Sequence, residues 1–192
     1  GPNTPVLQQA AAGRMDFAVD NADKLLLARA QEADVVAVMA PIQNSPRCLL
    51  VHGDTGIATF DDLARQTDFT ISMSAGQPFA RFLTKRLDLS QITVAPYAGN
   101  VAPFLLNKKS ALQGYSFSEP FVARKQGTDP KLLMTSALGF NTSTSLLVTG
   151  REHVEQHPDL VRKVVAPSIR GWRKYLEDPA ETNAFIHQQN PE

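Results

Sequence analysis

The residue pattern predicts an α/β protein, and three observations carry that expectation. Short runs rich in β-branched and apolar residues recur along the chain: MDFAVD at 15–20, VVAVM at 35–39, TISMS at 70–74 and ITVA at 92–95. They are too short for helices and are bounded by Pro, Gly, Asn or Asp, the usual turn residues. Stretches with helical spacing lie between most of them and carry their own start signals. Strands that alternate with helices predict a parallel or mostly parallel sheet covered on both faces.

The elements follow in order. Asn3 or Thr4 can cap a helix that opens at Pro5 and stops at Gly13. The strand at 15–20 leads into an amphipathic helix over 22–31, with Leu25, Leu26 and Ala30 on one side. The apolar run 35–39 suits a strand buried on both faces. Pro41 and Pro46 bracket an irregular segment, after which 49–51 is a strand. Thr59 and Asp62 have capping-box spacing at the start of a short helix. A strand at 70–74, a helix at 78–87 and a strand at 92–95 come next, and Asn100 can cap a helix over 101–108. A strand over 111–117 gives way to a helix over 120–126, and 132–135 and 145–148 are strands. The remainder is helical. Leu160, Val161, Val164, Val165, Ile169, Trp172 and Leu176 mark one face, with Trp172 expected in the core. Pro167 lies inside this pattern and removes a backbone hydrogen bond, which predicts a kink. Asp178 and Pro179 begin a last helix. The chain starts on a helix with no preceding strand, so the expectation is that at least one βαβ unit lies upstream.

Composition narrows the function. The 192 residues carry 19 Lys and Arg against 19 Asp and Glu, and this zero net charge argues against a general nucleic-acid or acidic-membrane binder. Cys48 is the single cysteine, which rules out an intrachain disulfide and any zinc site needing two cysteines. Its apolar surroundings predict a buried small side chain. No apolar run approaches the ~18 residues a membrane span needs. The first residues do not read as a signal peptide, so the compartment is not encoded here. His153 and His157 are four apart, but HExxH is absent and Pro158 follows at once. A solvent-exposed pair is expected, not a metal site.

Candidate binding residues sit at strand-to-helix turns. Ser74, Ala75, Gly76 and Gln77 follow a strand and precede Pro78, a turn that can aim backbone N–H groups at an anion or carbonyl. Loop chemistry alone favours an ordinary capped loop there, with Pro78 in the first helical turn, because every helix needs a start. Glu119 lies at a helix start, where it either compensates the helix dipole or accepts from a ligand N–H. Asp23 either caps its helix or joins Asn21 at a ligand. Tyr97, Tyr115, Phe79 and Phe140 fall near strand ends and are enough to line a pocket for a flat ring. GxGxxG, Walker and GxSxG patterns are absent, so neither nucleotide binding nor serine catalysis is supported.

Taken in order, GPNTPVLQQAAAGRMDFAVDNAD at 1–23, LLARAQ at 26–31, PRCLLVH at 46–52, TISMSAGQPFARFL at 70–83, ALQGYSFSEPFVARKQG at 111–127, GFNTSTSLLVT at 139–149 and PDLVRKVVAPSIRGWRKYLEDP at 158–179 resemble the SsuA/ThiY-type solute-binding proteins of ABC importers. The resemblance implies a type II periplasmic-binding-protein fold: two α/β lobes joined by hinge crossovers, with a ligand cleft between them. It places residues 1–53 and 139–192 in a first, incomplete lobe and 54–138 in the second. Full-length members begin with a further strand, helix and strand, and part of the C-terminal region is also expected to be missing. The resemblance further implies an extracytoplasmic protein, periplasmic or lipid-anchored, that works as a monomer with an ABC permease. It implies no cofactor, no metal and no catalysis. Carried onto this sequence, the cleft residues are Asn21, Asp23, Ser74, Ala75, Gly76, Gln77, Tyr97, Glu119 and Asn141. Glu119, the aromatic residues and the absence of Arg or Lys from the 74–77 turn favour a heteroaromatic ligand of the thiamine-pyrimidine or riboflavin type over a sulfonate, taurine or nitrate.

Two rivals remain. A eukaryotic branch resembling this family makes the thiamine pyrimidine with a cysteine-rich iron motif, and the lone Cys48 argues against it. The same fold also serves as the ligand-binding domain of sensors, which only neighbouring sequence would distinguish.

Overall fold

The structure, a computed structural model, describes residues 5–190. Asn3 and Thr4, the expected caps of the first helix, lie outside these. Pro5 precedes α1 (Val6–Ala11). Next come β1 (Ala18–Asp20), α2 (Ala22–Ala30) and β2 (Val35–Met39). The chain then builds β3 (Arg47–His52), α3 (Phe60–Ala64), β4 (Phe69–Ser72), α4 (Pro78–Arg86), β5 (Ile92–Ala95), α5 (Ala102–Leu106), β6 (Ser110–Tyr115), α6 (Glu119–Lys125) and β7 (Pro130–Met134). It ends with β8 (Leu146–Gly150), α7 (Arg151–Gln156), α8 (Pro158–Glu177) and α9 (Ala180–Gln189). These elements fall into two units, one made of the chain up to Gln43 and from Ser143 onward, the other of Asn44–Thr142.

Local signals account for several boundaries. Thr59 Oγ1 accepts from the Asp62 N–H at 3.1 Å and Asp62 Oδ2 accepts from the Thr59 N–H at 2.9 Å, so the expected capping box forms. Asn100 Oδ1 accepts from the Ala102 N–H at 2.9 Å, and Asp178 Oδ1 from the Ala180 N–H at 3.0 Å. Helix α8 runs unbroken through Pro167.

The second unit holds a five-stranded sheet in the order β5-β4-β6-β3-β7. Strand β4 is parallel to β5 and β6, whereas β3 is antiparallel to both β6 and β7. Strand β3 is the spine of this unit. Leu49 and Val51 face a core with Ile71, Phe79 and Leu83, while Cys48 and Leu50 face a second core with Phe104 and Leu112. This alternation is the pleat of a strand covered on both sides. The crossover thus falls after Gln43, earlier than the expected residue 53, because the fully apolar run from Cys48 to Val51 finds partners on both edges only in this sheet.

The first unit holds a three-stranded sheet, β1-β8-β2, with β8 antiparallel to both neighbours. Its core gathers Leu7, Ala10, Ala18, Ala28, Val35, Leu146 and Val148. Helix α1 lies so close to β8 that a Cβ on Gly150 would meet the Ala10 carbonyl oxygen at 2.8 Å. The parallel or mostly parallel sheet expected from strand–helix alternation is instead two sheets, a mixed one in the second unit and one with antiparallel neighbours in the first. Parallel pairing needs the chain to return through a crossover within one sheet. Strands β3 and β8 are each the first strand after the chain changes unit, and they run the other way.

Three packing expectations are corrected. Strand β2 is not buried on both faces: only Val35 is buried, Ala37 is exposed and the other three residues are half-buried. In α2 the inward residues are Asp23 and Ala28, with Leu25 partly covered; Leu26 is 65% exposed and Ala30 is exposed too. Trp172 is 38% exposed, Leu176 75%, and no residue of α8 or α9 is buried. A helical stripe marks a face that gains from burial, but it does not supply the element that covers it.

Candidate functional site

The residues with binding chemistry in the second unit gather at the carboxyl ends of β4, β5 and β6, the end where open α/β sheets take ligands. Strand β4 leads into the Ser74–Gln77 turn. The Ser74 N–H is committed to Gln113 Oε1 at 2.6 Å, and the Gln77 N–H to the Ser74 carbonyl at 2.9 Å. Ala75 and Gly76 are exposed at the tip, Gln77 makes no side-chain cap bond, and Pro78 opens α4. Gln113 is buried on β6 and was missed in the sequence. Its signal was a polar residue inside an otherwise apolar strand, SALQGY.

Strand β6 ends at Tyr115, and α6 begins at Glu119. The short turn between them folds the Glu119 carboxylate back, so that Oε2 accepts from the Tyr115 N–H at 2.8 Å. Oε1 accepts from the Tyr97 hydroxyl at 3.1 Å, which ties the loop after β5 to the same carboxylate. Gly114 makes room for this: a Cβ there would meet Glu119 Oε2 at 2.9 Å and Leu50 Cδ1 at 2.8 Å. Burial, then the Glu119 charge, then the hydrogen bond push the Tyr97 hydroxyl up to about 12. A cavity of about 330 Å³ opens beside the pair, lined by Tyr97, Asn100, Val101, Ser118, Glu119 and Gln126.

Arg47 completes the group. It opens β3 opposite Tyr115, and its guanidinium carbon lies 4.3 Å from the ring centroids of both Phe79 and Tyr115. Nη2 donates to the Tyr115 hydroxyl at 2.8 Å. Tyr115 also stacks on the exposed Phe117, with centroids 5.6 Å apart. The sequence reading found no cation at the 74–77 turn because Arg47 is 27 residues away from Ser74 along the chain. Its signal was an arginine set directly before a buried run in PRCLLVH.

The other expected residues lie elsewhere. Asn141 secures the connecting segments: Oδ1 accepts from the Ser45 N–H at 2.7 Å, and Nδ2 donates to Asn44 Oδ1 at 3.2 Å. In the first unit, Asn21 occupies the N-cap position of α2 and its Oδ1 accepts from the Ser145 N–H at 3.3 Å. Asp23 is buried in the first turn of that helix and accepts from the Lys24 N–H at 3.0 Å. Phe140 packs against Phe82, with centroids 5.2 Å apart.

Among the described residues no group of three His, Cys, Asp or Glu could hold a metal. The expected exposed histidine pair is corrected in part. The rings of His153 and His157 are 5.0 Å apart, but His153 is largely covered, edge-on to Phe17, with its Nε2 buried and unbonded. Cys48 is buried, and desolvation, then the Glu119 charge, push its thiol up to about 12 against the opposing pull of Arg47.

The fold is that of the periplasmic solute-binding proteins. The chain belongs to the NMT1/THI5-like family, whose model matches residues 1–182. A curated relative, riboflavin-binding protein RibY of Chloroflexus aurantiacus, is 29% identical over 97% of this chain. The chain spans about half the length of that relative, 55%. The periplasmic aliphatic sulphonate binding protein SsuA of Escherichia coli matches with a TM-score of 0.75 at 18% identity, over 95% of this chain and 64% of that one. The alkanesulfonate-binding protein SsuA of Xanthomonas axonopodis pv. citri matches with a TM-score of 0.66 at 19% identity, over 97% and 65%. No helix among the described residues is long and apolar enough to cross a membrane.

Proposed function

We propose that this chain is part of the solute-binding component of an ABC importer and takes a small heteroaromatic ligand of the riboflavin or thiamine-pyrimidine type. The observation that carries this is the cluster at the strand ends of the second unit. Tyr97, Tyr115 and Phe117 offer ring faces, Glu119 and Gln113 fix the turns, and a cavity of about 330 Å³ adjoins Tyr97 and Glu119. Flat aromatic walls with a few placed polar groups suit a ring ligand. The riboflavin-binding name of the Chloroflexus relative supports the same class. The ligand-contacting set would be Asn21 and Asp23 in the first unit, with Ser74, Ala75, Gly76, Gln77, Tyr97 and Glu119 in the second. Asn141 would act by holding the connecting segment. The protein would be extracytoplasmic and monomeric, would hand its ligand to a permease, and would catalyse nothing, since binding needs no nucleophile or acid–base pair.

A second reading, a sulfonate, taurine or nitrate ligand, is favoured by one observation. The exposed Ala75–Gly76 tip sits at the start of α4, where an anion gains from the helix dipole. The test is a thermal-shift panel on the full-length protein. A ligand that binds only the native state raises Tm by mass action. A shift with riboflavin or a pyrimidine is the expected result. A shift only with taurine, alkanesulfonates or nitrate would replace the first reading by the second.

A further inference from the structure

We infer that Arg47 is a ligand-contacting residue that selects a ring with carbonyl oxygens on its edge over a ring with an amino edge. The inference rests on the heteroaromatic reading above and deepens it. Arg47 is a half-buried cation with no carboxylate within ion-pair distance among the described residues. A guanidinium has five N–H donors and no acceptor. Its one protein acceptor in the second unit is the Tyr115 hydroxyl. Phe79 and Tyr115 hold it by stacking, which fixes the plane of the donor fork without using up its edge. Positioned donors that protein acceptors leave largely unmet are what a ligand acceptor completes.

The acceptors of the cluster are already in part engaged by the protein, while the Arg47 donors are the larger open set. Both oxygens of Glu119 already hold a protein donor, the Tyr97 hydroxyl and the Tyr115 N–H. Gln113 Oε1 is taken by Ser74. A carbonyl-edged ring brings acceptors to the Arg47 fork, whereas an amino edge brings only donors, which a guanidinium cannot accept. The Tyr115 ring and the exposed Phe117 stacked on it supply a flat surface next to the arginine, while the buried Phe79 backs it from within.

The test uses full-length protein and two probes: lumichrome, a flat ring system with two carbonyls and no sugar chain, and 4-amino-5-hydroxymethyl-2-methylpyrimidine. Kd is measured by calorimetry for wild type, Arg47→Met and Arg47→Lys, each at a temperature well below its own Tm. Methionine keeps the aliphatic packing and removes the donors; lysine keeps the charge and loses the fork. The expected result is that wild type prefers lumichrome and that Arg47→Met weakens it about 10- to 100-fold, the loss of a charge-assisted hydrogen bond. The aminopyrimidine would change little, and Arg47→Lys would fall between. A purely structural arginine would weaken both probes alike. An unchanged lumichrome-to-pyrimidine ratio in Arg47→Met therefore overturns the assignment and leaves the heteroaromatic reading standing. A wild type that binds neither ring defeats the heteroaromatic reading itself, and the assignment falls with it.

Discussion

Replacing Gly114 by alanine tests the architecture of the site. A Cβ at this position would stand 2.8 Å from Leu50 Cδ1, 2.9 Å from Glu119 Oε2 and 3.0 Å from Glu119 Cβ. Leu50 has no accessible surface and is packed with Cys48, Phe104 and Leu112, so its methyl group has nowhere to swing. Glu119 is the freer neighbour, but moving it breaks its bonds to the Tyr115 N–H and the Tyr97 hydroxyl. Overpacking a tight interior costs about 1–3 kcal/mol. Reduced freedom of the unfolded chain returns about 0.4–1 kcal/mol. The net loss is about 1–2 kcal/mol, or roughly 2–8 °C in Tm for a chain of this size. Differential scanning calorimetry measures it. Gly76→Ala is the control, because a Cβ there meets nothing within 4 Å, and its Tm should stay within about 1 °C of wild type. A Gly114→Ala variant as stable as wild type would refute the close packing of Glu119 on β6 and the geometry built on it.

Ultraviolet titration should find one tyrosine ionising near pH 12, and Tyr97→Phe should remove that step. Glu119→Gln should lower the step only part of the way, since burial, its largest cause, remains. The folded state favours the neutral forms of Tyr97 and Cys48. Their contribution to stability is whole below their ordinary values of 10.0 and 9.0, and is lost as pH rises towards about 12. A melt that is flat between pH 9 and 12 would contradict this. Cys48 should react with a disulfide reagent at pH 8 at least about 100-fold more slowly in native than in denatured protein, and equal rates would show it accessible. Thr59→Ala removes half of a capping box and should lower Tm by about 2–4 °C, with no change in ligand affinity.

Chain-local chemistry was legible before any coordinates. The Thr59–Asp62 box, the Asn100 bond to the Ala102 N–H and the placement of Glu119 at a helix start all depend on residues within a few positions of one another. The family resemblance likewise read the whole chain in order, and the NMT1/THI5-like family match over 1–182 agrees with it. Pairing between distant segments was not legible. Nothing in MDFAVD or SLLV says that their strands run antiparallel, because direction is set by where the chain travels between them and not by side-chain period. The same holds for exposure: the stripe through Trp172 is apolar whether or not another element covers it. Arg47 is the sharpest case. Its neighbours Phe79 and Tyr115 lie 32 and 68 residues further along the chain; strand register sets Tyr115 opposite it, and the packing of α4 brings Phe79 to the same guanidinium.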